Sequence, residues 1–200
     1  MLVVSNGAFK SGSTWLFNIA RCITQFPPPP DRFRNPDWVN PSILPSRLEE
    51  FVSEVDFSRR DFLSKNHFST AEHRNILLSD DHVRILNIRR DIRDVVTSAY
   101  YHHRREEDYT ASFRQYYWDR GRYIAENVRA YHELWDGSSS RVYVSSFHEL
   151  KRNFSTECDR IASFIGYNAS DEEVKKIKKE TSIESLKKDI KKVVFLGREK

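Results

Sequence analysis

The 200-residue chain has only two cysteines, one methionine and six glycines. Cys22 and Cys158 lie far apart, both in predicted helices, so the sequence offers no disulfide framework. Two buried, reduced thiols are expected, which suits a reducing cytoplasm. No apolar run approaches the roughly 18 residues of a membrane helix, and no signal-peptide core follows Met1, so neither a span nor export is expected. Seven histidines show no metal-ligand spacing; the adjacent His102 and His103 diverge on a helix, and no metal site is expected. Proline is absent except between 27 and 45, where all seven fall. Net charge is small over most of the chain. The net +4 comes from positions 174–200, with ten cations against four acids, and the remainder is slightly acidic. That basic segment fits the wet face of amphipathic helices, or a surface that helps hold an anion. No aromatic residue interleaves its lysines until Phe195, which argues against a nucleic-acid surface.

What is present is a globular composition, 38% hydrophobic and 13% aromatic, of a size for one domain spanning residues 1–200. Short apolar runs at Leu2–Val4, Asp61–His67, Val83–Ile88 and Arg141–Ser145 read as strands. Helical periodicity follows Ser13 or Thr14, the expected cap, and recurs over Ser46–Val55, Asp94–His103, about Ala111–Trp135, Glu157–Ile165 and Ile183–Ile190. Ser170-Asp-Glu-Glu173 is a capping box that starts one more helix. Strands alternating with helices predict an α/β fold of three layers, a central parallel sheet flanked by helices. The proline-rich stretch 27–45 cannot be a regular helix or a central strand. It reads as a surface excursion, a connector or a wall over a site, with Phe33 and Trp38 as its apolar contacts.

The informative stretch is residues 2–26. A buried strand, a turn with Gly7 and Gly12, then a helix direct backbone N–H groups and the positive end of a helix dipole at one spot, which attracts phosphate or sulfate. Gly7 and Gly12 have Walker A spacing, but Lys10 sits inside the loop and Ser13-Thr14 follow the second glycine, so an ordinary ATP-binding loop is not written here.

The string Lys10-Ser11-Gly12-Ser13-Thr14-Trp15 instead resembles the 5′-phosphosulfate loop of the sulfotransferase family, usually K-S-G-T-T-W. Arg90 to Ser98, after a strand and entering a helix, resembles that family's R-N-P-K-D-x-x-x-S motif for the 3′-phosphate, with Asp91-Ile92 replacing Asn-Pro and Arg89 as the alternative arginine. Lys65-Asn66-His67 resembles the K-T-H segment that carries the catalytic base. The order loop, K-x-H, then R-x7-S makes the resemblance specific. It implies a P-loop-like fold and transfer of a sulfonyl group from 3′-phosphoadenosine 5′-phosphosulfate (PAPS) to a hydroxyl or amine, leaving 3′-phosphoadenosine 5′-phosphate (PAP), without a metal. It implies His67 as general base, Lys10 and Lys65 as charge stabilisers, Ser11, Gly12, Ser13, Thr14 and Trp15 around the 5′-phosphate, and Arg90 and Ser98 at the 3′-phosphate. Thr181 and Ile183 fall where adenine-contacting residues sit, Phe147 falls near an aromatic position of the VYVSS strand and is counted with the nucleotide-binding residues, and Arg198, with Lys200, stands where a C-terminal loop closes over the 3′-phosphate. The implied acceptor is a small molecule or a glycan or lipid hydroxyl. The aromatic run from Tyr100 to Trp118 either lines its pocket or forms core. A metal-dependent small-molecule kinase and a catalytically silent nucleotide-binding module are the alternatives.

Overall fold

The first strand, β1 (Leu2–Gly7), is buried along its whole length, because an all-apolar start has neighbours on both edges and both faces. The structure, a computed structural model, describes residues 1–136 and 139–182. In chain order the elements after β1 are α1 (Ser13–Thr24), α2 (Leu48–Glu54), β2 (Phe62–Asn66), α3 (Ala71–Leu77), β3 (Val83–Arg89), α4 (Ile92–Glu106) and α5 (Phe113–Tyr116). A π-helical turn, Tyr117–Gly121, joins α5 to α6 (Arg122–Leu134); then come β4 (Val142–Ser146), α7 (Phe147–Arg152), α8 (Phe154–Ile165) and α9 (Asp171–Glu180). The four strands are parallel in the order β2-β1-β3-β4. Parallel neighbours need crossovers, and the helices that make them cover both faces. Leu2, Val4, Val83 and Ile85 point to one face, packed with Phe51, Tyr131 and Trp135. Val3, Leu63, Leu86 and Ile88 alternate to the other, packed with Leu16, Ile161 and Ile177. This is the expected three-layer α/β arrangement.

The outer edge of β2 is covered by the proline-rich stretch. The Leu63 amide donates to the Pro27 carbonyl and the Lys65 amide to that of Pro41, at 3.0 and 2.8 Å. An otherwise open edge is thereby closed. Phe33 is wholly buried against Phe51, with ring centroids 4.9 Å apart, so it belongs to the core and not to a site wall. Trp38 alone of that pair reaches outward, 45% exposed.

Several local expectations need correcting. Neither Ser13 nor Thr14 caps α1: the N-cap is Gly12, with no side-chain cap, and Ser13 is the first helical residue. The helix expected at Asp94 begins at Ile92, because the Asp91 carboxylate accepts from the Arg93 amide and acts as cap. The long aromatic helix is broken by the π-helical turn. Two short helices, α3 and α7, were not anticipated; Phe147 is the first residue of α7, directly after β4. Cys158 is buried, whereas Cys22 is only half-buried. Among the described residues no helix is long and apolar enough to cross a membrane. The expected helix at 183–190, and with it Ile183, Arg198 and Lys200, lie outside the described residues.

Candidate active site

The loop between β1 and α1 is shaped by its lack of side chains at two points. A Cβ on Gly7 would stand 2.9 Å from Ser13 Cβ and 3.0 Å from Ile88 Cγ2. Gly12 has φ of 103°, and a Cβ there would meet Phe147 Cδ2 at 2.6 Å. Only glycine satisfies both limits. Between them the Ser11 amide and hydroxyl both donate to the Ala8 carbonyl, at 3.1 and 2.6 Å, which folds the turn back on itself. Lys10 adopts the left-handed conformation with φ of 61°. Trp15 and Leu16 take the Gly12 carbonyl as the first helical acceptor. Among the described residues the amides of Lys10, Gly12, Ser13 and Thr14 donate to no protein acceptor. Four free donors at the start of a twelve-residue helix make an anion cradle.

The two arginines at the end of β3 diverge. Arg89 turns to α6, where it pairs with Asp136 at 2.6 Å and donates to the His132 carbonyl. Arg90 turns to the loop. Its Nη1 donates to the Lys10 carbonyl at 3.2 Å, its guanidinium lies 4.4 Å from the centroid of the Phe147 ring, and its buried Nε makes no hydrogen bond, with Asp94 Oδ2 at 4.0 Å. Two turns along α4, Ser98 faces a hollow of about 310 Å³ shared with Lys10, Arg90, His102 and Arg105. Burial, then the charges of Arg105 and Arg90, hold the Lys10 ammonium below its ordinary pKa, with Glu106 opposing. An anion in that hollow would relieve this repulsion. On the far side of Phe147, Trp15 meets its ring edge-on at 5.7 Å and donates from Nε1 to Thr181 Oγ1 at 3.4 Å.

The third group comes from β2. Lys65 pairs in register with Ser5 and is 6% exposed, with no carboxylate at ion-pair distance among the described residues. Burial lowers its pKa. Just past the strand, His67 Nδ1 contacts the Gly7 carbonyl. A carbonyl only accepts, so neutral His67 carries its proton on Nδ1 and leaves Nε2 as a base. Burial is the main cause that lowers the His67 pKa, Lys65 adds to it, and the Gly7 contact opposes. His67 lines a cleft of about 420 Å³ with Ala8, Phe9, Tyr123, Asn127 and Tyr131, and the Trp38 ring is 5.6 Å from its own.

Lys10, Ser11, Gly12, Ser13, Thr14, Trp15, Arg90, Ser98, Phe147 and Thr181 gather around the loop, His67 reaches it through the Gly7 carbonyl, and Lys65 lies buried on β2 in register with Ser5. The aromatic run does not line the His67 cleft. Tyr100 and Tyr116 form a separate core cluster, while Tyr101, Phe113, Tyr117 and Trp118 are exposed. Arg105 and His102 were missed, although their spacing of seven and four from Ser98 puts them on one helical face. Nothing in the sequence pointed to Tyr123, Asn127 or Tyr131, because the π-helical turn resets the phase of α6. Another cavity, about 240 Å³ between α1 and α9 beside Cys22 and Glu180, contains none of the groups above.

Comparison with known proteins follows the same lines. The chain is similar to mouse sulfotransferase SULT7A1 complexed with PAP, with a TM-score of 0.64 and 18% identity over 93% of this chain and 66% of that one. It is similar to retinol dehydratase in complex with androsterone and the inactive cofactor PAP, with a TM-score of 0.60 and 17% identity over 92% and 65%. It is also similar to a sulfotransferase from Alicyclobacillus acidocaldarius, with a TM-score of 0.52 and 19% identity over 83% and 81%. The chain thus spans just under two thirds of the length of the first two, and identities this low speak for the fold alone. No curated protein matches it. A family model described as the sulfotransferase domain matches residues 3–192, nearly the whole chain. The chain belongs to the sulfotransferase domain family.

Proposed function

We propose that the chain transfers a sulfonyl group from PAPS to a hydroxyl, or an amine, of a small acceptor. The observation that carries this reading is the convergence of Lys10, Arg90, Ser98 and His67 on one loop from three different strands and their following segments. The residues fit the nucleotide: two positions tolerate no Cβ, four amides are free among the described residues, and the buried Arg90 Nε makes no hydrogen bond. The amides from Lys10 to Thr14 and the hydroxyls beside them would hold the 5′-phosphate. Arg90 and Ser98 would hold the 3′-phosphate, a planar fork and a neutral donor. The pairing of Arg89 with Asp136 favours Arg90 for that role. Phe147, Trp15 and Thr181 would form the adenine side, and the family pattern adds Ile183 and Arg198.

PAPS supplies an activated sulfonyl group on its 5′-phosphate. His67 Nε2 takes the proton of the acceptor hydroxyl while that oxygen bonds to sulfur, and a base so placed contributes about 10²–10⁴ in rate. Lys10 neutralises the charge left on the phosphate oxygen, and Lys65 meets charge on the sulfonyl oxygens. We assign no metal, since Lys10, Arg90 and Arg105 already supply cationic charge where it is needed. Free Cys22 and Cys158 favour the cytoplasm.

The test is thermal stabilisation by PAP beside ADP and ATP with Mg²⁺, since a ligand bound only by the folded chain raises its Tm. PAP is expected to act selectively and Arg90→Ala to abolish the shift. A response to ATP alone would establish the kinase reading instead. Selective PAP binding without transfer to any acceptor of a broad panel would leave a silent binding module.

A further inference from the structure

We propose that Phe9 is the partition between the acceptor cleft and the cationic donor hollow, closing the reacting atoms to water and offering a flat face to an uncharged acceptor; this rests on the sulfotransferase reading. Phe9 is the loop residue immediately before Lys10, and it is 43% exposed although it neighbours the buried start of the site. Its ring forms part of the wall of the cleft that His67 lines. On its other side it meets the donor hollow: Lys10 Nζ lies 5.6 Å from the ring centroid, and the His102 ring lies at 5.6 Å. The His103 ring stacks on it at 6.1 Å. One side chain therefore touches the ammonium assigned to the leaving phosphate and the cleft assigned to the acceptor.

The chemistry gives this position a purpose. Transfer to water is the competing reaction: a water oxygen bonds to sulfur and the bond from sulfur to the 5′-phosphate oxygen breaks. The electron pair stays on phosphate, and sulfate, PAP and protons are released. Apolar bulk beside Lys10 suppresses that route by excluding water, and it strengthens the field of the ammonium. The cleft's other side chains, Ala8, Ser69, Tyr123, Asn127 and Tyr131 among them, carry no permanent charge, and the Phe9 ring stands between the cleft and the Lys10 ammonium, so the cleft wall itself offers a charged acceptor no ion-pair partner. Exposed faces of Phe9, Tyr123 and Trp38 suit a planar ring.

Two variants separate the two roles. Phe9→Leu keeps apolar bulk and loses the flat face; Phe9→Ala loses both. With PAPS and no acceptor, Phe9→Ala is expected to release sulfate about tenfold faster than the unaltered protein, and Phe9→Leu to stay within about threefold. Calorimetry with 2-naphthol and no nucleotide is expected to show about five- to twentyfold weaker binding by both variants. 6-Hydroxy-2-naphthoate, which is charged, is expected to bind the unaltered protein more weakly than 2-naphthol. Sulfate release and naphthol affinity both unchanged in Phe9→Ala would overturn the proposal. So would tighter binding of the naphthoate, or loss of the PAP-induced Tm shift in both variants, which would make Phe9 a part that builds the loop. If the unaltered protein itself gives no Tm shift with PAP, the sulfotransferase reading fails, and the naphthol measurement still decides whether Phe9 forms a ligand wall.

Discussion

Lys65 is the residue where stability and the proposed chemistry pull hardest against each other. It is 6% exposed, in a strand, with no carboxylate at ion-pair distance among the described residues. Lys65→Met keeps the unbranched shape and removes the charge. Replacing a buried ion pair by apolar groups of similar volume is neutral or stabilising by up to about 4 kcal/mol, and a lone buried cation lacks even the Coulombic return of a pair. For a chain of this size each kcal/mol moves Tm by about 2–4 °C. Taking about 2 kcal/mol from that range, Tm is expected to rise by about 4–8 °C. Removing one preorganised cation from the site is expected to cost about 10²–10³ in turnover. The gain depends on pH with a definite sign. Burial depresses the Lys65 pKa below its ordinary 10.5, so the unfolded chain binds more protons between the two values. This contribution makes the unaltered protein more stable as pH rises through that window, and the variant lacks it. Calorimetry at neutral pH should therefore show the larger gap in Tm, narrowing toward alkaline pH. A variant that melts at or below the parent, or that turns over at the parental rate, would refute the reasoning.

The same logic gives two shorter expectations. His67 is neutral when active and its pKa is depressed below 6.5, so kcat/KM with any working acceptor should be flat through neutrality and fall only on the acid side of 6.5, while His67→Ala loses about 10²–10⁴. Between the depressed value and 6.5 the unfolded chain binds the extra proton, so the fold loses stability as pH falls through that window; thermal melts of His67→Gln should show the loss diminished. Gly12→Ala combines a left-handed backbone with a Cβ 2.6 Å from Phe147, and should lower Tm by at least the equivalent of about 1–2 kcal/mol and remove the PAP shift.

The fold was legible because its strands are short apolar runs at spacings that leave room for helical crossovers, and because β1 is followed at once by a glycine-bearing turn. The nucleotide side of the site was legible for a related reason. An anion cradle is written locally, in consecutive residues such as Lys10 to Trp15, and its arginine and serine are one helix entry apart. The acceptor side was not. Its walls combine the loop, the segment after β2 and α6, and the phase of α6 is set by the π-helical turn at Tyr117–Gly121, where Gly121 packs against Val96 and Tyr117. Periodicity across that turn fails, so Tyr123 and Tyr131 could not be placed and Tyr117 and Trp118 could not be recognised as exposed. A row of asparagines was also invisible. Asn66, Asn6 and Asn87 stand in register across β2, β1 and β3. Asn6 exchanges hydrogen bonds with the Phe68 backbone, and Asn66 with that of Ile43. Asn6 and Asn66 thereby fix connections just beyond the sheet, a demand that exists only once the strands lie side by side.

The central place of β1 has a consequence for how the chain acquires its function in time. Its two edges are completed by β2 and then by β3, and the loop it carries is shaped by Ile88 and Phe147, side chains that enter much later in the sequence. A growing polypeptide therefore presents a strand destined for full burial first and its partners later, with long closures to make before any contact rewards them. Until β4 and α7 have emerged from the ribosome, the phosphate-binding turn lacks its Phe147 wall. Nucleotide can then act only as a late stabiliser of the assembled sheet, and chaperone capture of the emerging chain should centre on Leu2–Val4.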